Sequence, residues 1–155
     1  MWKKKSRFYR DRQTIQRHKA KSSRHIQQTL QMKIKILKED SDFSRLIRKR
    51  DGKCVRCNSK VAFNDDGHPI THQASHFWSR GHWATRFDPE NVDTLCFGCH
   101  QLWGGDLRDE YKDFKMKQLG EERYIKLQQK ANIYANKLKE REKAREYFKL
   151  EYPKL

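Results

Sequence analysis

The chain has 155 residues, of which 35% are hydrophobic and 36% are charged, and its formal net charge is +16. This composition supports one small hydrophobic core with extensions rather than several domains. So large a positive charge predicts a polyanionic partner, of which nucleic acid is the simplest, and no apolar run approaches the roughly 18 residues of a membrane-spanning helix.

Positive charge is concentrated in residues 1–38, which hold thirteen Lys and Arg residues and a single acid, Asp11, for a net charge of +12. Aromatic residues that can stack on exposed bases stand among these cations: Trp2, Phe8 and Tyr9. Apolar residues at nearly helical spacing predict a helix in the second half: Ile26, Leu30, Ile34 and Leu37. We interpret residues 1–38 as a partly helical basic arm that lies along phosphates, and a solvated tail is the alternative. Its start, MWKKKSRFYR, has no apolar segment, so we expect no secretory signal peptide and a reducing, cytoplasmic location.

A short helix is predicted over EDSDFSRLIRKRDG, residues 39–52. Ser41 or Asp42 can cap its start, and Gly52 ends it. Its inward face is expected to hold three apolar side chains: Phe43, Leu46 and Ile47.

Two strands are expected next, VAF at residues 61–63 and ITHQASH at residues 70–76, with a tight reversal at Gly67. After a turn at DPEN, the segment VDTLCFGCHQLW enters a helix that two glycines end. A further helix is predicted to end at Gly120 from its apolar spacing: Leu107, Tyr111, Phe114 and Leu119.

The C-terminal segment, residues 121–155, is predicted to be one amphipathic helix. Its apolar residues repeat at alternating steps of three and four: Tyr124, Leu127, Ala131, Tyr134 and Leu138. We expect this stripe to pack against the core, and a homodimer seam is the alternative. The sequence thus divides into a basic arm (1–38), a central domain (39–120) and a C-terminal helix (121–155).

The four cysteines form two Cys-x-x-Cys pairs separated by 38 residues: Cys54, Cys57, Cys96 and Cys99. Each pair can present two sulfurs to one ion, and two pairs complete a tetrahedron around zinc. Disulfides are not expected in a reducing compartment. We therefore predict a structural Zn²⁺ that holds together a chain with a small core.

Three polar residues lie in order between and beside the cysteine pairs: His76, Asn91 and His100. A histidine at the end of a strand can accept a proton from water at neutral pH. The asparagine can orient that histidine or ligate a metal, and the helical histidine can hold a divalent ion over a phosphate.

The order and spacing of these residues resemble the HNH (ββα-metal) nuclease motif. His76 and Asn91 are 15 residues apart, and Asn91 and His100 are nine apart. The resemblance implies an α+β fold with a small zinc-stapled ββα-metal unit and long flanking helices. It also implies a metal-dependent DNA endonuclease that leaves 5′-phosphate and 3′-hydroxyl ends. In this view His76 is the general base, His100 ligates a catalytic Mg²⁺ or Mn²⁺, and Asn91 positions His76 or ligates the same ion.

A closer resemblance, to the NinG/Rap family of phage recombination nucleases, covers roughly residues 45–130. It is carried by the runs ASHF (74–77), RFD (86–88), GDL (105–107), YK (111–112) and GEE (120–122). That family implies cleavage of branched recombination intermediates, including Holliday junctions, by a phage protein in the host cytoplasm. Packaging or homing nickases, and a zinc-stapled DNA-binding protein without catalysis, are the alternatives.

Two positions depart from common HNH patterns. Ser75 stands where many HNH enzymes have a metal-ligating Asp or His, and Gly104 stands where colicin-type enzymes have another His. The catalytic ion is therefore under-ligated, and Asn91, Asp106, water and the substrate phosphate are open as further ligands. An ion held firmly only with DNA present is consistent with Mg²⁺, which keeps most of its waters.

Other residues near the motif have simpler expected roles. Arg80 and Arg86 are the nearest candidates to hold the phosphate, with surface ion pairs as the alternative. Three tryptophans are expected to build the core around the cysteine pairs: Trp78, Trp83 and Trp103. The remaining histidines are assigned no main role, although His72 shares a strand face with His76.

Overall fold

A computed structural model describes residues 35–151. The basic arm up to residue 34, with its predicted helix, lies outside the described residues. The main elements are helix α1 (Lys38–Asp51), strands β1 (Gln73–His76) and β2 (Val92–Leu95), and helices α2 (Phe97–Gly104), α3 (Arg108–Leu119), α4 (Glu121–Ala131) and α5 (Lys137–Glu151). This combination of helices with a two-stranded sheet confirms the α+β class. Within the described range, no helix is long and apolar enough to span a membrane.

Helix α1 begins one residue earlier than predicted, and its start is capped differently. The carboxylate of Asp40 accepts a hydrogen bond from the backbone nitrogen of Leu37 at 2.7 Å, whereas Ser41 and Asp42 lie inside the helix. The predicted end is confirmed, because Gly52 adopts a left-handed conformation with φ 63°.

The strand, turn and strand predicted after the first cysteine pair form only in part. Residues 61–63 contribute one isolated bridge, between Phe63 and Pro69, instead of a strand. The reversal at Gly67 is confirmed by its φ of 72°. Strand β1 starts late because His72 has a φ of 65°, which is incompatible with extended backbone.

Strands β1 and β2 pair antiparallel, with Gln73 opposite Leu95 and His76 opposite Val92. Helix α2 follows β2 almost directly, so the order along the chain is strand, strand, helix. Every residue of β2 is buried, because the strand lies between two apolar clusters to which it contributes one side chain each. The sheet is therefore the internal support from which the adjacent loops project.

The first cluster surrounds the cysteines and draws on α2, α3 and α4: Cys54, Phe77, Leu95, Cys99, Trp103, Tyr111, Leu119, Tyr124 and Leu127. The second joins α1 to the sheet and to α5: Phe43, Leu46, Ile47, Ala74, Val92, Ala144 and Phe148. Core positions predicted for Phe43, Leu46, Ile47 and Trp103 are confirmed. Trp78 packs at the edge of the first cluster, whereas Trp83 belongs to neither and instead lies 4.4 Å from the guanidinium of Arg86.

The segment predicted as one helix over residues 121–155 is two helices, which corrects that expectation. The predicted stripe packs on the core only as far as Ala131. Beyond it, Tyr134 and Leu138 are 96% and 66% exposed. The break is stabilised by Asn136, whose side-chain oxygen accepts hydrogen bonds from the first turn of α5, at 3.0 Å from the nitrogen of Leu138.

Candidate functional site

The four cysteine sulfurs converge at one point. All lie within 4.8 Å of one another, and the sulfurs of Cys57 and Cys96 are 3.7 Å apart. No disulfide joins them. The arrangement brings the two pairs together as predicted and can hold a metal ion.

The first cysteine pair is shaped by backbone hydrogen bonds. The nitrogen of Cys54 donates to the oxygen of Ser59 at 2.8 Å, and the nitrogen of Asn58 donates back to the oxygen of Cys54 at 2.9 Å. Asn58 adopts a positive φ of 61°, which the tight turn requires. The nitrogen of Val55 donates to the oxygen of Thr94 at 2.9 Å, so the turn is fixed to β2.

The surroundings of two of these thiols displace their pKa values in opposite directions. A hydrogen bond from the hydroxyl of Ser59, 3.3 Å from the sulfur, lowers the pKa of Cys57 to about 6. Burial raises the pKa of Cys99 to about 12, although the guanidinium of Arg56 approaches its sulfur at 3.7 Å. A bound divalent cation would stabilise the buried thiolate and reverse that shift, because a coordinating thiol is deprotonated.

His76 lies at the end of β1 in a fixed tautomer. Its Nε2 is 2.9 Å from the backbone oxygen of Arg86. A carbonyl oxygen can only accept, so Nε2 carries the proton and Nδ1 is the free acceptor. Burial, reinforced by the nearby charge of Arg80, lowers the pKa of His76 to about 4. The imidazole is therefore neutral at physiological pH, as a general base must be.

Asn91 holds together the loop that carries the partner of His76. Its Oδ1 accepts from the nitrogen of Trp78 at 2.7 Å, while Nδ2 donates to the oxygens of Trp78 and Thr85, both at 2.9 Å. The side chain is fully buried. Thr85 immediately precedes Arg86, so this amide positions the carbonyl that fixes the His76 tautomer. The geometry favours this positioning role, and the alternative role of Asn91 as an ion ligand does not fit a side chain that is buried and fully engaged.

His100 follows Cys99 in the first turn of α2. Its Nδ1 is enclosed by protein and has no hydrogen-bond partner among the described residues. Burial and the charge of Arg80 lower its pKa. Neither ring nitrogen forms a hydrogen bond with residues 35–151. Because Nδ1 is enclosed by protein, Nε2 is the nitrogen available to a ligand.

His76 and His100 line one open cleft of about 590 Å³. The other residues of its lining come from β1 and the loop after it, from helices α2 to α4, and from the residue that follows α4: Ser75, Phe77, Trp78, Ser79, His82, Gly104, Arg108, Gln128 and Asn132. None of these lining residues is acidic. The cleft thus contains two of the predicted site residues, His76 and His100. Asn91 does not line it, but binds the backbone of Trp78 and Thr85 in the adjacent loop.

Sequence reasoning missed several members of this cleft. His82 received no role, yet its Nδ1 donates to the backbone oxygen of Ala131 at 2.8 Å and it lines the cleft. Arg108 was not singled out, and neither were two amide side chains, Gln128 on α4 and Asn132 directly after it. No spacing signal could have found them, because only the packing of α3 and α4 against the β1–β2 loop brings them to the site.

Arg86 does not hold a phosphate, which corrects one of two sequence expectations. It is 2% exposed and forms a two-point ion pair with Asp40, at 2.9 and 2.5 Å. Burial alone would raise the pKa of Asp40, but the hydrogen bonds from Arg86 lower it below its usual value. A guanidinium enclosed in such a pair cannot turn toward a ligand. Arg80 is half-buried and its charge acts on both cleft histidines.

A hydrogen-bonded network supports β1 from below the cleft. The hydroxyl of Tyr111 donates to the carboxylate of Asp93 at 2.9 Å and approaches the backbone oxygen of Ser75 at 3.1 Å. Lys115, also fully buried, pairs with Asp93 at 2.8 Å. These contacts fix the backbone on which His76 lies, and removing either charge would leave the other uncompensated.

The cleft is not a preformed ion cage. Among residues 35–151, only the four cysteines bring three or more His, Cys, Asp or Glu ligand atoms close together. Asp106, an expected extra ligand, is exposed and is not among the residues that line the cleft. Ser75 and Gly104 line it but add no carboxylate or imidazole. A catalytic ion would thus depend on His100, water and substrate, in line with the under-ligation expected from the sequence.

Comparison with protein-family models, curated proteins and solved structures found no match to this chain.

Proposed function

We propose that the chain is a metal-dependent DNA endonuclease of the HNH type, which hydrolyses phosphodiester bonds. The observation that carries this proposal is the pairing of two histidines across one acid-free cleft. His76 is neutral and presents a free Nδ1, while His100 presents a free Nε2. A base and an ion ligand that share a cleft are the minimum set for metal-assisted hydrolysis.

Each residue has a defined role in the proposed reaction. Nδ1 of His76 takes a proton from the attacking water, while Nε2 keeps its own proton and donates a hydrogen bond to the backbone oxygen of Arg86. Nε2 of His100 would hold a divalent ion, Mg²⁺ or Mn²⁺, which would supply charge stabilisation at the departing oxygen. Asn91 keeps the loop in place and touches no reacting atom. The products are 5′-phosphate and 3′-hydroxyl ends.

The metal held by the four cysteines is proposed to be structural Zn²⁺. Four thiolates favour zinc over harder cations, and a closed sulfur set leaves no position for substrate. Because His100 follows Cys99 directly, the zinc site also fixes where the histidine emerges on α2.

The substrate is proposed to be DNA, with branched recombination intermediates as the favoured form. The net charge of +16 supports a polyanionic substrate, and the basic arm carries most of that charge. The preference for branches rests on the NinG/Rap resemblance described above.

A direct test is to incubate the purified protein with linear, nicked, single-stranded and four-way-junction DNA in Mg²⁺, Mn²⁺ or EDTA. We expect cleavage that EDTA abolishes. His76→Ala should lose activity by ~10²-fold or more while its DNA affinity is retained. His72→Ala is the matched control, because the hydrogen bonds of His72 within the described residues go to Ser59 and Thr71, and this variant should cleave like the parent. Undiminished cleavage by His76→Ala would refute the HNH assignment.

A second candidate is a zinc-stapled DNA-binding protein without catalysis. It is favoured by one observation, the lack of any carboxylate in the cleft lining and hence of a preformed ion site. This candidate predicts DNA binding of similar strength with and without divalent ions, and intact DNA under every condition of the assay.

A further inference from the structure

Arg108 is a cation of the cleft that the proposed reaction does not use. It is the first residue of α3 and lines the cleft together with His76 and His100. A cation in the first turn lies at the positive end of the helix dipole, where it is disfavoured. Its position therefore does not serve the stability of α3.

The guanidinium of Arg108 is held in place by the segment that follows β1. Nη2 donates a hydrogen bond to the backbone oxygen of Phe77. The Cζ atom lies 4.2 Å from the centroid of the Phe77 ring and 5.5 Å from that of Tyr111. A guanidinium fixed in this way loses little side-chain entropy when it binds a ligand.

Within the described part of the chain, no carboxylate neutralises this charge. The ion pairs found among residues 35–151 do not include Arg108. The neighbouring acid Glu110 is occupied by Arg56, at 2.9 and 3.1 Å. Burial lowers the pKa of Arg108, the direction expected for a charge without an acidic partner. Arg86 shows the opposite arrangement, because its two-point pair with Asp40 satisfies it internally.

The only Lys, Arg, Asp or Glu side chain in the cleft lining is that of Arg108, although the carboxylate of Asp40 behind it also acts on His76. The lining contains no acid, and the positive field of Arg80 reaches both His76 and His100. The Arg108 guanidinium makes one hydrogen bond to the described residues, so most of its five N–H donors are available. Two N–H donors of one guanidinium can form parallel hydrogen bonds to two oxygens of one phosphate.

We propose that Arg108 binds the non-bridging oxygens of the scissile phosphate and holds that phosphate between His76 and His100. Cleavage of the bound phosphate rests on the proposed endonuclease function, whereas phosphate binding by Arg108 does not. The ligand class is a phosphodiester or a free phosphate. Arg108 thus takes the role that the sequence had suggested for Arg86.

The test is a titration of the full chain with inorganic phosphate, followed by the ring resonances of His76 and His100 in NMR spectra. This readout separates the cleft from phosphate bound to the basic arm. We expect Arg108→Gln to weaken the phosphate affinity reported by these rings by about tenfold or more. Arg123→Gln is the matched control, because Arg123 is exposed and pairs with Glu90, and should titrate like the parent.

Identical titration of Arg108→Gln and the parent would overturn the inference. If Arg108→Gln fails to melt cooperatively, the same titration is made with Arg108→Lys, which keeps the positive charge but cannot form two parallel hydrogen bonds to a phosphate. Weaker phosphate binding by Arg108→Lys supports the inference, and unchanged binding overturns it. A parent that binds phosphate through Arg108 yet cleaves no DNA would uphold the inference and refute the proposed function.

Discussion

The Nε2 proton of His76 is donated to the backbone oxygen of Arg86, 2.9 Å away. The same Arg86 is anchored through its side chain to Asp40 on α1. One residue thereby joins the proposed acceptor of the catalytic proton to the first helix of the domain. The buried ion pair holds that carbonyl in place, and its two charges act on the pKa of His76 in opposite directions.

The depressed pKa of His76 predicts how stability depends on pH. Its folded pKa of about 4 lies below the unfolded value of 6.5, so the unfolded chain binds the proton first as pH falls. Stability is fully present above pH 6.5 and is lost between about pH 6.5 and 4. Between about pH 7.5 and 5 the loss due to His76 is on the order of 2 kcal/mol. Urea unfolding of the parent and His76→Gln at both values measures it.

Both proteins in that comparison keep the four cysteines, so acid release of the metal cancels between them. The free energy of unfolding of His76→Gln should fall less on acidification than that of the parent. Equal losses would mean that His76 is not buried in its neutral form.

Replacing His100 should damage ion binding rather than proton transfer. We expect His100→Ala to lose cleavage at low divalent concentration and to recover part of it at high concentration, since the ion retains water and substrate as ligands. His76→Ala should show no such recovery. Initial cleavage rates across a Mn²⁺ series measure the difference, and a His100→Ala defect that is independent of Mn²⁺ would contradict the ligand role.

Asn91→Ala should destabilise the fold. The change removes the hydrogen bonds that the described residues give to the nitrogen and oxygen of Trp78, and leaves the oxygen of Thr85 with only the nitrogen of Asp88, at 3.2 Å. We expect the free energy of unfolding to fall by at least about 2 kcal/mol. Denaturant melts measure this, with the exposed Asn132→Ala as control. A variant as stable as the parent that fails only in ion binding would restore Asn91 as a metal ligand.

Removing one zinc ligand should unfold the domain. Cys96→Ser leaves a sulfur set that cannot close, and the cluster joins the first cysteine turn to α2. We expect metal content to fall from about one zinc per chain to none, with loss of cooperative melting. Elemental analysis and calorimetry test this. A zinc-free parent that melts cooperatively would contradict the structural role.

Deleting residues 1–34 should weaken DNA binding and leave the body folded, because α1 begins beyond the cut and its cap, from Asp40 to Leu37, is retained. On duplex DNA, a plot of log affinity against log salt concentration becomes steeper by about 0.9 for each phosphate that the protein neutralises. If the arm neutralises phosphates, its deletion should make this slope shallower. Fluorescence anisotropy at several salt concentrations measures the slope. An unchanged slope would leave the arm as a solubility tail, and a selective loss of junction binding would assign it to branch recognition.

The parts of the fold that the sequence predicted well are those set by local pattern. The cysteine spacing predicted one shared site, and the glycines at residues 52 and 120 predicted helix ends. The C-terminal helix was predicted too long, because periodicity does not register that Asn136 can start a new helix. The strand at residues 61–63 failed for a similar reason, since its apolar residues satisfied the pattern but found no partner strand.

Only those residues of the candidate site that belong to the His-Asn-His pattern could be predicted from the sequence. His76 and His100 could be named from spacing, but the internal pairing of Arg86 could not. Its partner Asp40 lies 46 positions away, and no local signal distinguishes a buried arginine from one that faces a ligand. Arg108 and His82 reach the cleft only through tertiary packing.

The C-terminal helix α5 also determines whether this domain is a transferable module. Arg141 and Arg145 reach Glu39 on α1, at 3.1 and 2.7 Å, and that carboxylate is 2% exposed. A fragment ending at residue 120 would remove both ion-pair partners of Glu39 and the two side chains, Ala144 and Phe148, that α5 adds to the second cluster. It would also uncover the core face that α4 covers with Tyr124 and Leu127. Gene fusions or domain exchanges that carry the cysteine-bound unit must therefore carry both C-terminal helices with it.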